Sequence, residues 1–68
     1  MEYLILEAKY NGKLFRIEED LPDIGAYLYV YEMGVCIQDY LQDDIATCKQ
    51  IALEDYNVPL EIWEELEE

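Results

Sequence analysis

The sequence predicts an α+β domain: a small antiparallel sheet made of two hairpins, packed by one helix and followed by a short C-terminal helix (ββββα). Three observations carry that prediction. Two β-rich runs flank Asn11-Gly12, the dipeptide that most favours a two-residue hairpin turn. Residues 26–34 read AYLYVYEMG, so Tyr27, Tyr29 and Tyr31 alternate with Leu28 and Val30. From residue 41 the apolar period lengthens from two to about 3.6, the helical value.

In the first hairpin a two-residue turn pairs Tyr10 with Lys13, Ala8 with Phe15, Glu7 with Arg16 and Leu6 with Ile17. Leu4, Leu6, Ala8, Phe15 and Ile17 then share one face, and Glu7 meets Arg16 on the other. The segment DLPDIG follows, with Pro22 and Gly25 as chain breakers and Asp20 and Asp23 suited to a turn.

The second hairpin runs from about Ala26 to Tyr40. A two-residue turn at Met33-Gly34 needs positive φ at Met33, which a side chain resists. A three-residue loop over residues 32–34, with Gly34 left-handed and a bulge, avoids that cost and is the expected solution. It places Tyr27, Tyr29 and Tyr31 on the same face as Val35 and Ile37; the two-residue turn places them with Cys36 and Gln38.

Leu41, Ile45, Cys48, Ala52 and Tyr56, with Ile51 beside them, form the apolar stripe of a helix from about Asp44 to Tyr56. Asp43 or Asp44 can cap its start, Asn57 suits a left-handed end and Pro59 prevents continuation. The last run, PLEIWEELEE, reads as a short helix with Leu60, Trp63 and Leu66 turned inward and its final acids frayed. One helix covers one face of such a sheet. The third strand offers two apolar or aromatic faces, so its second face lacks an obvious cover.

Sixty-eight residues make one domain. Such a chain buries only about 60% of the surface it exposes when unfolded, so a partner or unusually good packing is called for. At 53% hydrophobic the chain is too apolar for a disordered segment. Its net charge is −13, from 17 acids and 4 basic residues. That field repels nucleic acid and anionic membranes and favours basic partners. Between Glu54 and Glu68 there are seven acids and no base. No signal peptide or membrane-spanning run is visible, so a cytoplasmic location is expected. Cys36 and Cys48 match no zinc or redox spacing and are expected to be reduced, buried small hydrophobes.

The chain has no histidine, no serine and a single threonine, Thr47. Serine-type triads, histidine acid–base catalysis and His-activated thiols are thereby excluded. The glycines are isolated and form no phosphate-cradling loop. No catalytic residue and no cofactor is assigned. Asp39, Asp43 and Asp44 cluster where the fourth strand meets the helix. A carboxylate trio can hold Ca²⁺ or Mg²⁺, but without EF-hand spacing these read first as a helix cap and solvated acids. The run EIWEELEE reads as a solvated helix end, with presentation of Trp63 to a basic groove as the alternative.

Tyr27, Tyr29 and Tyr31 are the candidate interface. Tyrosine is enriched at protein interfaces; the plain alternative is half-buried sheet surface. A base-stacking platform would need flanking cations that the charge does not supply.

Asp39, Leu41, Gln42, Asp43, Ala46, Ala52, Tyr56, Val58, Pro59 and Trp63 form a D-x-L-Q-D … V-P-x-x-x-W pattern. It resembles the C-terminal half of an uncharacterised group of small acidic bacterial proteins. With the YLYVY strand the resemblance spans about two thirds of the chain. It implies a bacterial ββββα domain and carries no functional site. DLPDIG and Gly34 are also similar to the D-L-P-G turn and strand-preceding glycine of HicB-type antitoxins. The Gly-Asp-Thr helix start and the DNA-binding segment of that family are missing here, so toxin neutralisation enters as analogy.

These readings together describe a non-enzymatic, cytoplasmic protein that acts by binding another protein. The partner is expected to be basic, as for an antitoxin, an immunity protein or a nucleic-acid mimic. The alternative is a structural or regulatory homodimer.

Overall fold

The computed structural model describes residues 3–21 and 23–66; Pro22 and the last two glutamates, named above as breaker and frayed end, lie outside them. The chain runs β1 (Ile5–Tyr10), β2 (Lys13–Glu19), β3 (Ala26–Glu32), β4 (Val35–Gln42), α1 (Ile45–Tyr56), a 3-10 turn (Leu60–Ile62) and β5 (Glu64–Leu66). The strands form one five-stranded antiparallel sheet in the order β4-β3-β2-β1-β5. The helix packs on one face, against β2, β3 and β4.

The first hairpin has the register read from its turn: Tyr10 faces Lys13, Ala8 faces Phe15, and Leu6 faces Ile17. Asn11 and Gly12 both take positive φ, at 53° and 79°, as a type I′ turn requires. Leu6, Ala8, Phe15 and Ile17 are buried, whereas Leu4 remains exposed at the start of the strand.

The second hairpin corrects the expected loop. Met33 (φ 53°) and Gly34 (φ 79°) repeat the geometry of Asn11 and Gly12, and Glu32 pairs with Val35. The turn is therefore two residues long. Positive φ at Met33 costs about 1–2 kcal/mol, and the match of a type I′ turn to the twist of its strands offsets it. Met33 is 96% exposed, so no neighbour adds to the strain. Tyr31 pairs with Cys36, and a one-residue shift follows, so that Val30 pairs with Gln38 and Tyr29 with Asp39. This bulge reverses the strand's parity. Tyr27 and Tyr29 consequently share a face with Leu41 and Asp39, while Tyr31 at the turn end meets Cys36.

Asp44 caps α1: its Oδ1 accepts from the Thr47 backbone N–H (2.8 Å) and from the Thr47 hydroxyl (2.7 Å). Asn57 ends the helix in the left-handed region (φ 63°, ψ 24°) and donates to Leu53 C=O, while Val58 N–H reaches Ala52 C=O. That closure turns Val58 into the core, where it is fully buried. Of the expected helical stripe, Ile45, Cys48, Ile51, Ala52 and Tyr56 pack inward. Leu41 does not: it belongs to β4 and is exposed.

The chain after Pro59 is not the short α-helix expected. A single 3-10 turn leads to an extended Trp63 (φ −66°, ψ 132°), and Glu64–Leu66 pairs with β1 as Glu7↔Glu64, Leu6↔Glu65 and Ile5↔Leu66. A strand here satisfies edge N–H and C=O groups of β1 that a helix would leave unpaired. Ile62 and Trp63 pack against the core, while Leu60 and Leu66 stay at the surface.

The core is Leu6, Ala8, Phe15, Ile17, Ala26, Leu28, Val30, Cys48, Ala52 and Val58. The Phe15 and Tyr56 rings meet at 5.2 Å, a separation at which tilted rings attract. Both cysteines are free; Cys48 is buried as expected, with its thiol directed at Ala26 C=O (3.5 Å), whereas Cys36 is exposed because it lies on the edge strand β4.

Candidate functional site

The face opposite the helix carries the tyrosines. Ala26, Leu28 and Val30 point to the helix and are fully buried; by strand alternation Tyr27, Tyr29 and Tyr31 point the other way. They are half-buried, and among the described residues no element covers them. Tyr27 and Tyr29 stack with centroids 5.9 Å apart and planes 14° apart, and Tyr29 meets Tyr31 at 6.4 Å. All three rings therefore form one continuous stripe along β3.

Strand register builds rows across this face. Glu64, Glu7, Arg16, Tyr29 and Asp39 line up from β5 to β4; beside them run Leu66, Ile5, Glu18, Tyr27 and Leu41. Arg16 is the central cation. It donates from one guanidinium nitrogen to Glu7 (2.7 Å) and from Nε to Glu18 (2.8 Å). Burial opposes its charge, but the hydrogen bonds it donates to Glu18 and Glu7, with the charges of those carboxylates, outweigh that and raise its pKa. Lys9 lies at the turn end of the same face, opposite Leu14. Burial, and then the charge of Glu18, push the Tyr29 hydroxyl's pKa upward, so Tyr29 is a neutral phenol at physiological pH. A depression of about 270 Å³ opens beside Tyr31, lined by Glu7, Leu14, Arg16, Glu18 and Gly34.

The site is thus a row of stacked phenols bordered by Glu18 and Asp39, with its nearest cation already paired. It offers aromatic faces, hydroxyls and carboxylates. Arg16, Glu18 and Leu41 were not legible as members of it from sequence alone. The Glu7–Arg16 pair was readable within the first hairpin, but only the β2–β3 register sets it beside Tyr29.

Asp39, Asp43 and Asp44 take different places. Asp39 faces Tyr29 across the strand pair, Asp43 is exposed in the turn before α1, and Asp44 is committed to Thr47. The Thr47 hydroxyl and N–H hold the Asp44 carboxyl below its ordinary pKa. Among the described residues no group of three or more Cys, Asp or Glu side chains is placed to hold a metal ion. No helix among them is long and apolar enough to cross a membrane. No protein-family model, curated protein or solved structure matches this chain.

Proposed function

We propose that this chain is a non-enzymatic, cytoplasmic binding protein whose open sheet face takes a basic segment of another protein. One observation carries the reading: the uncovered stripe of Tyr27, Tyr29 and Tyr31 is bordered by Glu18 and Asp39, while the adjacent Arg16 is occupied by Glu7 and Glu18. Aromatic faces attract guanidinium and ammonium groups, and neighbouring carboxylates strengthen that attraction. The net charge of −13 adds long-range steering toward a cationic surface. An antitoxin, an immunity protein or a nucleic-acid mimic would use a surface of this kind. Packing two such faces together would bring the carboxylates of both copies, Glu18 and Asp39 among them, into one interface, which favours a basic partner over face-to-face dimerisation.

The test is an NMR titration of labelled protein with an arginine-containing peptide, repeated with Tyr29→Lys. Shifts concentrated at Arg16, Glu18, Tyr27, Tyr29, Tyr31 and Asp39, and lost in the variant, support the reading. Shifts confined to the acidic residues 61–66 would be charge attraction without a site and would overturn it.

A further inference from the structure

The two edges of the sheet differ. β5 is three residues long, and two of them are glutamates. β4 is eight residues long, exposed except at Tyr40 and Gln42, and among the described residues no strand lies on its outer side. An open edge offers unpaired N–H and C=O groups to another strand, and proteins commonly blunt it with Pro, Lys or a cover. β4 has no Pro and no Lys, and its bulge lies at the turn end, leaving Gln38–Gln42 regular. Asp39 is the only charged residue between Met33 and Gln42, in a chain that is 31% charged.

We propose that β4 pairs antiparallel with β4 of a second copy, about a twofold axis at Tyr40, joining two sheets into one. Backbone alternation supports this register. Glu19 N–H donates to Leu4 C=O (2.9 Å), so odd-numbered residues of β2 bond toward β1 and even-numbered ones toward β3. Followed through the β2–β3 and β3–β4 pairs, Gln38, Tyr40 and Gln42 bond to β3, and Asp39 and Leu41 direct their polar groups outward. An axis at Tyr40 sets Asp39 against Leu41 of the second copy, twice, and Gln38 against Gln42. An axis at Asp39 would oppose two carboxylates.

Charge and space both point to a second copy as occupant. The glutamates of β5 lie at the edge farthest from β4, so this contact keeps them apart, and Asp39 is the one charged residue that the paired strand brings to it. Strands in a sheet are about 4.8 Å apart, so β3 and its counterpart stand three spacings, ~14 Å, from each other. Helices about 10 Å across, each centred near β3, fit side by side at that distance. The two tyrosine stripes then lie on one continuous face.

Sedimentation equilibrium at micromolar concentration in about 0.15 M salt, where charge repulsion is screened within ~8 Å, tests the contact. The expected result is a dimer. Leu41→Glu, which faces Asp39 of the second copy with a like charge, should weaken it about tenfold or more. Adding Asp39→Lys to that variant should restore it. Circular dichroism checks folding, and Asp39→Pro, which deletes an outward N–H that an edge strand can spare, is the second disruptive variant. A monomer throughout that range would overturn the proposal. So would a dimer that survives Leu41→Glu and Asp39→Pro but dissociates with Tyr29→Lys.

Discussion

Gly25 lies against the backbone carbonyl of Gln42 so closely that no Cβ fits between them, and its φ is +110°. The residue closes the loop before β3: its N–H donates to Leu21 C=O (2.9 Å) and its C=O accepts from Asp20 N–H (2.8 Å). Gly25→Ala therefore meets both a clash and backbone strain, and should cost on the order of 3 kcal/mol. Gly12 has the strain alone, with nothing within 4 Å of a Cβ, and Gly12→Val should cost about 1 kcal/mol or more. Urea denaturation of the two variants checks the order; equal losses would refute the packing role of Gly25.

Asp44 is the sole side-chain cap of α1 and bonds Thr47 twice. Asp44→Ala should lower the melting temperature more than Asp44→Asn, which keeps an acceptor at the cap. The folded-state pKa of this carboxyl is depressed below its ordinary 3.8. Its contribution is thus complete above that value and fades as pH falls through the lowered one. Thermal melts of wild type and Asp44→Ala should converge in that acidic window. A gap that stays constant into strong acid would contradict the assignment.

Tyr40 and Tyr56 share a hydroxyl–hydroxyl hydrogen bond at 3.3 Å. That bond, and then burial, push the Tyr40 pKa from 10.0 up to about 12. A raised folded-state pKa gives stability that is complete below the unfolded value and lost as pH rises through the folded one. Stability should therefore decline between pH 10 and about 12. Tyr40→Phe should remove that part of the decline, as read from alkaline denaturation curves.

The two cysteines should react at different rates. Cys36 is exposed on β4, whereas burial and the nearby Asp44 charge push the Cys48 thiol up to about 11. A thiolate reagent at mildly alkaline pH should modify Cys36 promptly and Cys48 only on unfolding, because the thiolate is the reactive species. Two equally fast thiols in folded protein would show that the helix–sheet core opens.

Local chemistry made much of this molecule readable in advance. Asn11-Gly12 sets the whole β1–β2 register, because a two-residue turn leaves no freedom to slip. Asp44, Asn57 and Pro59 bound α1 because caps act within one turn of chain. Met33 misled because its unfavourable φ looked decisive, although the strand twist outweighs it. The tail misled because its apolar spacing also suits a helix, and the unpaired edge of β1 that draws Glu64–Leu66 into a strand lies nearly sixty residues away in sequence.

Two hairpins, one capped helix, a strongly acidic surface and the absence of histidine chemistry follow from residue order alone. All of these depend on residue identity or on neighbours a few positions apart. Which face of β3 meets the helix, the placing of Arg16 beside Tyr29 and the open edge at β4 emerge from the packing of distant segments. The helix sits where Cys48 and Ala52 can approach Ala26, Leu28 and Val30 closely, since small side chains permit dense packing. The tyrosines keep the other face because their hydroxyls need water or a partner.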